Sequence, residues 1–195
     1  MQKDGVDIQE NYTYISDEKK SRKLSALNVL LTLIIILLIV ALIVFTTTFT
    51  SFKVIGESML PNVKEGDRLV LQKRGYTLEY GDIIVFNRQE DTEAAVKRIL
   101  GKAGDTIAFD KQACKWVRNG EYVEENYFES DCEYNEVYFS SMLWELQGDG
   151  ITIPEGHLFV LGDNRNIAGG YSYDSHHYGP LPESSVIGKV IYIMD

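Results

Sequence analysis

The chain has 195 residues, enough for one ordinary domain with a modest appendage and too few for a multidomain machine. Its 29 acidic and 19 basic residues give a net charge of −10, so we expect no nucleic-acid partner, because the phosphates would be repelled. Two cysteines are too few for a disulfide scaffold or a zinc site, and we expect no metal and no cofactor.

The first predicted element is an apolar helix over about 24–50. Its central run, Val29–Phe45, is interrupted only by Thr32, and the whole segment is long enough to cross a hydrocarbon core of roughly 30 Å. A buried core helix would need a polar face, which this run lacks, so we interpret it as an anchor in the lipid bilayer. A cleaved signal peptide is the alternative, but the run is long and lacks a clear small-x-small site after it.

The charges beside this helix predict its orientation. Four basic residues lie just before it, at Lys19, Lys20, Arg22 and Lys23, whereas Lys53 is the only basic residue close behind it. Because basic residues stay on the cytoplasmic side, we expect residues 1–23 in the cytoplasm and residues from 51 onward outside. Residues 1–23 are polar and without periodicity, which predicts a disordered tail.

Residues 51–195 are predicted to form a mainly β domain. Short apolar runs alternate with turn signals such as Gly-Asp, and no helical stripe of useful length appears. The expected strands contain Leu69–Leu71, Ile83–Phe86, Ala94–Leu100, Thr106–Phe109, Ile151–Ile153, Leu158–Leu161 and Val186–Met194. A small insert is expected at about 111–150, because the many aromatic residues among its acidic ones favour a packed sub-region over an acidic tail.

Both cysteines, Cys114 and Cys132, fall within this insert. On the external side of a membrane a pair of cysteines is expected to form a disulfide. Two buried thiols are the alternative.

Ser58 is a candidate nucleophile. It lies in Gly56–Pro61, between a flexible glycine and a proline that stiffens the chain. A serine in an ordinary surface turn is the alternative, and a serine acts as a nucleophile only beside a base.

Lys97 is the better candidate for that base. Period-2 alternation places it on one strand face with Ala95 and Ile99, where loss of solvent would lower its pKa and supply a neutral amine. The alternative is a lysine that protects a strand edge from aggregation. The three histidines are weaker candidates, since one precedes an apolar strand and two lie together in a loop: His157, His176 and His177.

A series of short motifs, in order over about 53–195 and behind a predicted anchor, resembles the type I (leader) signal peptidases. The motifs are Gly-Glu-Ser-Met-Leu-Pro at 56–61, Gly-Asp-Arg-Leu at 66–69, Gly-Asp-Ile-Ile-Val-Phe at 81–86, Val-Lys-Arg-Ile at 96–99 with Gly-Asp at 104–105, Gly-Asp-Asn-Arg at 162–165 and Ser-x-Asp-Ser at 172–175.

The resemblance implies a serine–lysine endopeptidase of a bacterial plasma membrane, with a coiled antiparallel β domain, that removes signal peptides from exported preproteins. Ser58 is then the nucleophile and Lys97 the general base, and Ser172 orients the lysine amine by a hydrogen bond. The residues implied to support the surrounding loops are Arg98, Asp163, Asn164, Arg165 and Asp174. Substrate would lie extended along a strand edge, with small residues in two shallow pockets.

The chain departs from the family pattern in several places. Six residues, where two are usual, separate Arg165 from Ser172, and Asn62 stands where threonine is common. His176 replaces a common arginine, which predicts a weaker ion pair with Asp174 near neutral pH. Two other functions are alternatives. One is a self-cleaving serine–lysine protease of the repressor type, which the anchor and the negative charge disfavour. The other is a catalytically silent assembly factor for surface structures.

Overall fold

The structure, a computed structural model, describes residues 4–88, 93–127, 142–165, 172 and 174–194. The chain divides into two compact units, Met1–Thr47 and Thr48–Asp195.

The first unit is the long helix α1, Asp4–Thr48. Its stretch Arg22–Thr48 is long and apolar enough to cross a membrane, and none of it is buried within the protein. Polar side chains in this stretch bond to their own helix: Thr32 Oγ1 donates to the carbonyl of Asn28 at 2.8 Å. Such internal bonds suit a nonpolar solvent, where an unsatisfied polar group is costly.

The helix begins much earlier than the sequence predicted. Residues 1–23 were expected to be disordered, yet the helix starts at Asp4. Extending an existing helix fixes one residue per new hydrogen bond, whereas nucleation fixes several at once, so the apolar segment can propagate helix into a polar flank. The many Glu and Lys residues in that flank are good helix formers.

The second unit is mainly β, which confirms the predicted fold class. The eleven strands in the described residues are β1 Phe49–Lys53, β2 Arg68–Gln72, β3 Ile83–Asn87, β4 Ala94–Lys102, β5 Thr106–Asp110, β6 Lys115–Arg118, β7 Glu121–Tyr122, β8 Ile151–Thr152, β9 His157–Leu161, β10 Leu181–Pro182 and β11 Val186–Met194. A short helix, α2, spans Ser175–Tyr178, and 3-10 turns lie at Trp144–Gln147 and Glu183–Ser185.

Seven strands form the larger sheet, in the order β1-β2-β11-β3-β4-β9-β10, with every pair antiparallel. β11 changes register against both of its neighbours, as strands do where a sheet bends at a bulge. This bending agrees with the curled antiparallel domain that the motifs implied.

The smaller sheet has the order β7-β6-β5-β8 and is formed by the chain between β4 and β9. Trp116 is fully buried there, with its ring 5.1 Å from that of Phe109 and 5.5 Å from that of Phe159. Phe159 belongs to β9, so the two sheets share one apolar cluster.

Alternation along the central strands of the larger sheet separates two further clusters. One cluster contains Val54, Met59, Val63, Leu69, Leu71, Val85 and Val96, and the other contains Ile84, Phe86, Ile99, Leu158, Val160 and Leu181. Lys97 follows Val96 in β4 and is only 2% exposed.

β4 has one partly open edge. It pairs with β3 along Ala94–Arg98, but its pairing with β9 begins only at Arg98. Among the described residues, Ala94–Lys97 therefore lacks a strand partner on one side. This open edge ends at Lys97.

Candidate active site

The fold brings Ser58 and Lys97 into contact although they are 39 residues apart in the chain. Lys97 Nζ lies 2.6 Å from Ser58 Oγ and also donates to the carbonyl oxygen of Val96 at 2.8 Å. Both bonds fix the end of a long flexible side chain beside the hydroxyl. A neutral amine in this position could accept the proton of that hydroxyl across the same distance.

The surroundings of Lys97 lower its pKa to about 8. Burial is the largest cause, because an ammonium group loses its hydration there. The negative charges of Asp174 and Asp163 act in the opposite direction, and the positive charge of Arg88 adds a lowering effect. A substantial fraction of the amine is therefore neutral at mildly alkaline pH.

The turn that carries Ser58 is held by backbone hydrogen bonds on both sides. Gly56 has a φ of +90°, which only glycine adopts without strain. The amide of Leu60 donates to the carbonyl of Glu57 at 3.1 Å, and the amide of Val63 donates to that of Met59 at 2.9 Å. The side chain of Met59 is 1% exposed and fixes the turn to the core.

The loop after β9 supports this turn from the other side. The backbone amide of Asn164 donates to the carbonyl of Ser58 at 3.0 Å, and its side-chain amide donates to the carbonyl of Glu57 at 3.1 Å. Asn164 thus fixes the backbone of Ser58 and of the preceding residue, Glu57.

Gly162, in the same loop, packs directly against Ser58. A Cβ atom at position 162 would lie 2.5 Å from the carbonyl oxygen of Ser58 and 2.8 Å from Ser172 Oγ. No side chain fits at these distances. The amide of Gly162 donates to Asp174 Oδ2 at 2.9 Å, which fixes the glycine in place.

Asp163 is fully buried and forms an ion pair with Arg98. Arg98 Nε donates to Asp163 Oδ1 at 2.8 Å, and its Nη2 donates to Oδ2. The side-chain amide of Asn62 donates to the same carboxylate at 3.0 Å and to the carbonyl of Tyr127 at 2.6 Å. The guanidinium of Arg98 lies 4.1 Å from the centre of the Tyr127 ring. This network joins the loop after β9, which carries Asp163, to β4 and to the segment at residue 127.

Arg165 closes the same loop. It is almost fully buried, donates from Nε to the carbonyl of Gly162, and forms an ion pair with Glu125. Glu125 also accepts a hydrogen bond of 2.8 Å from the hydroxyl of Tyr127. The loop 162–165 is therefore bound through side chains or backbone at each of its four positions.

Asp174 is fully buried and caps α2, and it contacts His176 Nδ1. Burial alone would raise the pKa of Asp174, but the positive charges and hydrogen bonds of its partners, His176 foremost, lower it to about 2. Asp174 is thus a carboxylate at physiological pH.

Ser172 differs from the expectation drawn from the motifs. Its hydroxyl is buried close to Gly162 and Asp174. Among the described residues it does not form the expected hydrogen bond with Lys97. The two bonds of Lys97 are directed to Ser58 and to the backbone of Val96 instead. The segment 166–171, whose unusual length the sequence singled out, lies outside the described residues.

The remaining histidines and cysteines occupy other places. His157 opens β9, as its position before an apolar run indicated, and its Nδ1 lies 2.9 Å from the carbonyl of Glu155. Cys114 is disulfide-bonded, and its predicted partner Cys132 lies outside the described residues. Within the described ranges no group of three or more His, Cys, Asp or Glu residues could hold a metal ion.

A cleft of about 500 Å³ opens beside Ser58 and Lys97. It is lined by Phe52–Met59, Arg88 and Glu93–Lys97. The lining includes small and apolar side chains, among them Val54, Ala95 and Val96, so the cleft suits an extended peptide with small residues.

Four residues of the site were missed as functional residues by the sequence reasoning: Asn62, Glu125, Tyr127 and Gly162. Asn62 was noted only as a departure from a common threonine, and its amide now links Asp163 to Tyr127. Tyr127 and Glu125 lie in the aromatic, acidic insert, where composition indicates packing but not a partner. The signal for Gly162 was its place in the Gly-Asp-Asn-Arg motif.

Comparison with known proteins gives the family. Residues 27–194 match the family described as signal peptidase, peptidase S26. This match spans most of the chain, so the chain belongs to that family, and the predicted resemblance is confirmed.

Individual relatives agree. Signal peptidase I of Leptolyngbya laminosa is 34% identical over 146 residues, which are 69% of this chain and 63% of that protein. Signal peptidase I V of Bacillus subtilis (strain 168) is 34% identical over 148 residues, 73% of this chain and 83% of that protein. The chain thus spans a little under two thirds of the first relative. A solved signal peptidase I from Enterococcus faecalis V583 is 28% identical, with a TM-score of 0.45 over 60% of this chain and 98% of that one.

Proposed function

We propose that the chain is a membrane-anchored serine endopeptidase that removes signal peptides from exported preproteins, with Ser58 as nucleophile and Lys97 as general base. The observation that carries the proposal is the 2.6 Å contact between Lys97 Nζ and Ser58 Oγ at a buried lysine with a pKa of about 8. A lysine with an ordinary pKa near 10.4 would be almost entirely protonated at neutral pH and could not act as a base.

The reaction follows from this pair. Neutral Lys97 accepts the Ser58 proton while Oγ attacks the carbonyl carbon of the scissile bond. The resulting ammonium gives its proton to the departing amine as the peptide bond breaks, which leaves an ester between the signal peptide and Ser58. Lys97 then takes a proton from water, whose oxygen attacks the ester, and returns a proton to Ser58 as the carboxylic product leaves.

The tetrahedral intermediate needs hydrogen-bond donors for its oxyanion. We assign this role to the backbone N–H of Ser58, because residue 56 is a glycine and supplies no hydroxyl. The hydrogen bonds from Asn164 to the carbonyls of Ser58 and Glu57 support the assignment, since they fix the backbone on which that N–H lies.

Substrate binding uses the open edge of β4. An extended peptide added alongside Ala94–Lys97 would gain main-chain hydrogen bonds on the side where β9 is absent. Signal peptides carry small residues just before the cut, and Ala95 and Val54 leave room for such side chains. Asp163, Arg165, Asp174 and Arg98 then act by holding the loop against the nucleophile turn, and Ser172 packs beneath it.

We further assign residues 1–23 to the cytoplasm, 24–50 to the anchor and 51–195, with its insert at about 111–150, to the outer side of a bacterial plasma membrane. The excess of basic residues before the helix supports this orientation. Protease added to sealed right-side-out vesicles should degrade the domain and spare the tail. Protection of the domain would contradict the orientation.

The test of the catalytic assignment is precursor cleavage by the full chain in detergent or vesicles. Ser58→Ala and Lys97→Ala should each remove nearly all activity, and the double variant should be little worse, because members of one catalytic unit are not additive. Matched controls are Ser51→Ala, an exposed serine of β1, and Lys64→Ala, an exposed lysine outside the cleft; both should cleave as the wild type does.

Substantial activity in Lys97→Ala, with Ser58→Ala inactive, would show that another group is the base. Full activity in both variants would overturn the proposal.

A further inference from the structure

A segment of the insert contacts the loop that supports the nucleophile. Glu125 Oε1 accepts a hydrogen bond from Arg165 Nη2 and another, of 2.8 Å, from the hydroxyl of Tyr127. The side chain of Glu125 is 9% exposed and that of Arg165 is 3% exposed, so the two charges meet largely out of water. Because a buried cation without its anion is unfavourable, this contact restricts where Arg165 can lie.

Arg165 carries the contact to the backbone of Ser58. Its Nε donates to the carbonyl of Gly162, three positions earlier in the same loop. Between them, the amide of Asn164 donates to the carbonyl of Ser58 at 3.0 Å, and its side chain donates to the carbonyl of Glu57 at 3.1 Å. One loop of four residues therefore separates the carboxylate in the insert from the peptide units on both sides of the nucleophile.

The backbone of the same segment binds the turn that follows Ser58. The carbonyl of Tyr127 accepts a hydrogen bond of 2.6 Å from the side-chain amide of Asn62, which also donates to Asp163 at 3.0 Å. Asn62 lies four positions after Ser58, next to Val63, whose amide closes the turn. The insert thus contacts both chain segments that form the site, the loop through a side chain and the turn through a carbonyl.

The segment is attached to the smaller sheet just before Glu125. The amide of Val123 donates to the carbonyl of Trp116 at 2.9 Å, and Trp116 is fully buried. Val123 follows β7, which pairs with β6. Glu125, two residues further on, is therefore held at a defined place relative to the core, as a residue that positions other groups must be.

The location of Glu125 separates it from both the base and the cleft. Two carboxylates and one guanidinium shift the pKa of Lys97 by their charges: Asp174, Asp163 and Arg88. Neither Glu125 nor Arg165 lines the cleft beside the dyad. An effect of Glu125 on the reaction would therefore pass through the position of the loop.

We propose that Glu125 is a positioning residue for the reaction: through Arg165 it holds the loop 162–165 against Ser58 and so fixes the backbone of the nucleophile. The smaller sheet then contributes to catalysis as the support of that loop. The inference rests on the proposed function, because it takes Ser58 as the nucleophile.

The test is Glu125→Gln in the full-length protein, with kcat and KM measured on a peptide that contains a small-x-small site. Glutamine keeps the shape and one acceptor oxygen but removes the charge. A displacement near 1 Å at a reacting group can cost about 10²-fold in rate, and a neutral hydrogen bond retains part of the order, so kcat per folded protein should fall about tenfold. KM should change by less than about twofold. The rise of kcat/KM with pH should stay centred near 8.

Three further variants accompany this one. Glu124→Gln makes the same charge change at the exposed neighbouring residue and should retain wild-type kcat. Tyr127→Phe removes one hydrogen bond from the Glu125 carboxylate without changing a charge, so it should lower kcat about threefold and tests the proposal even if Glu125→Gln fails to fold. In an Arg165→Gln background, Glu125→Gln should change kcat by less than about twofold, because the two residues act in one chain of contacts.

Wild-type kcat in folded Glu125→Gln and in Tyr127→Phe would overturn the proposal. A fall that only follows the loss of folded protein would assign Glu125 to stability, a rise in KM at constant kcat would assign it to substrate binding, and a pH dependence moved away from about 8 would assign it to the base; each of these results also overturns it. If Ser58→Ala cleaves the peptide as the wild type does, the proposed function itself fails, whatever the result at position 125.

Discussion

Gly162→Ala tests the packing of the loop against the nucleophile more directly than any change at the dyad. The substitution adds one methyl group and removes no hydrogen-bonding atom. The added Cβ would lie 2.5 Å from the carbonyl oxygen of Ser58 and 2.8 Å from Ser172 Oγ. The backbone at Gly162 does not have the positive φ of a left-handed residue, so the effect is one of space alone.

The size of the effect follows from these distances. An ordinary contact begins near 3.4 Å, so the Ser58 carbonyl and the loop must separate by about 0.9 Å. Overpacking of this kind costs about 1–3 kcal/mol of stability. A displacement near 1 Å at a reacting group can cost about 10²-fold in rate. We therefore expect kcat/KM to fall by about 10² while most of the protein stays folded.

The measurement is kcat/KM on a peptide substrate together with urea unfolding of the same preparation. The matched control is Gly148→Ala, another glycine without a positive φ, whose added Cβ would have its nearest neighbour at 3.8 Å. That variant should retain wild-type activity.

Wild-type kcat/KM in Gly162→Ala would refute the reasoning, because it would mean that the loop can move away from Ser58 without affecting the reaction. Loss of activity in proportion to loss of folded protein would also refute it, since the effect would then be one of stability alone.

Three further outcomes are expected. Because burial lowers the pKa of Lys97 to about 8, kcat/KM should rise with pH through about 8; the rise should persist when all three histidines are replaced, moved to higher pH because Asp174 loses His176 as its partner, and its disappearance in a folded triple variant would contradict a lysine base. Since the pKa of Asp174, about 2, lies below the ordinary 3.8, its carboxylate stabilises the fold above about pH 4, and this contribution is lost as pH falls toward 2; urea unfolding of Asp174→Asn should show a weaker acid dependence, and an unchanged one would contradict the reasoning. A Cys114–Cys132 disulfide should stabilise the insert by roughly 3 kcal/mol, and two alkylated thiols in the unreduced protein would exclude it by intact mass.

Most strands of the larger sheet could be predicted, because each contains an apolar run bounded by recognisable turn residues. Ile83–Phe86 and Leu158–Leu161 lie within β3 and β9, and both are buried on each face, which produces continuous apolar runs. The Gly-Asp pairs correctly marked the turns before β2, β3 and β5.

Other elements could not be predicted, since their sequence pattern is either too weak to recognise or typical of both a helix and a strand. β1 begins at Phe49, inside the segment assigned to the anchor, because threonine and phenylalanine suit both a helix flank and a strand. β7 and β10 have two residues each, which is too short for any periodicity. Their existence depends on the partner strand.

The candidate site divides in the same way. Ser58 and Lys97 could be selected from local pattern and chemistry, and the structure brings them together. The contacts of Asn62, Tyr127 and Glu125 depend on which loops meet in space, and no pattern along the chain records this. The hydrogen bond expected from Ser172 to the lysine is not formed among the described residues for a related reason: a motif gives the residue type but not the direction of a lysine amine.

The loop 162–165 explains how one short motif can serve both the nucleophile and the base. Gly162 leaves the room that the carbonyl of Ser58 occupies, and Asn164 binds that same carbonyl through its amide. Asp163 acts on the base instead: its negative charge raises the pKa of Lys97, but the charge is paired with Arg98 at 2.8 Å. Asp174 raises the pKa of Lys97 as well and is likewise paired, with His176.

The pairing of these two carboxylates affects the protonation of Lys97. Two unpaired carboxylates near a buried lysine would stabilise its ammonium form and oppose the loss of hydration. Because each carboxylate has a close partner that donates hydrogen bonds to it, its influence on Lys97 is weakened, and burial remains the largest effect. The carboxylates can therefore organise the loop against Ser58 while the amine remains available as a base. If the same two carboxylates held the loop without Arg98 and His176 as partners, the backbone at Ser58 would still be ordered. The pKa of Lys97 would rise, however, and the neutral amine would be lost.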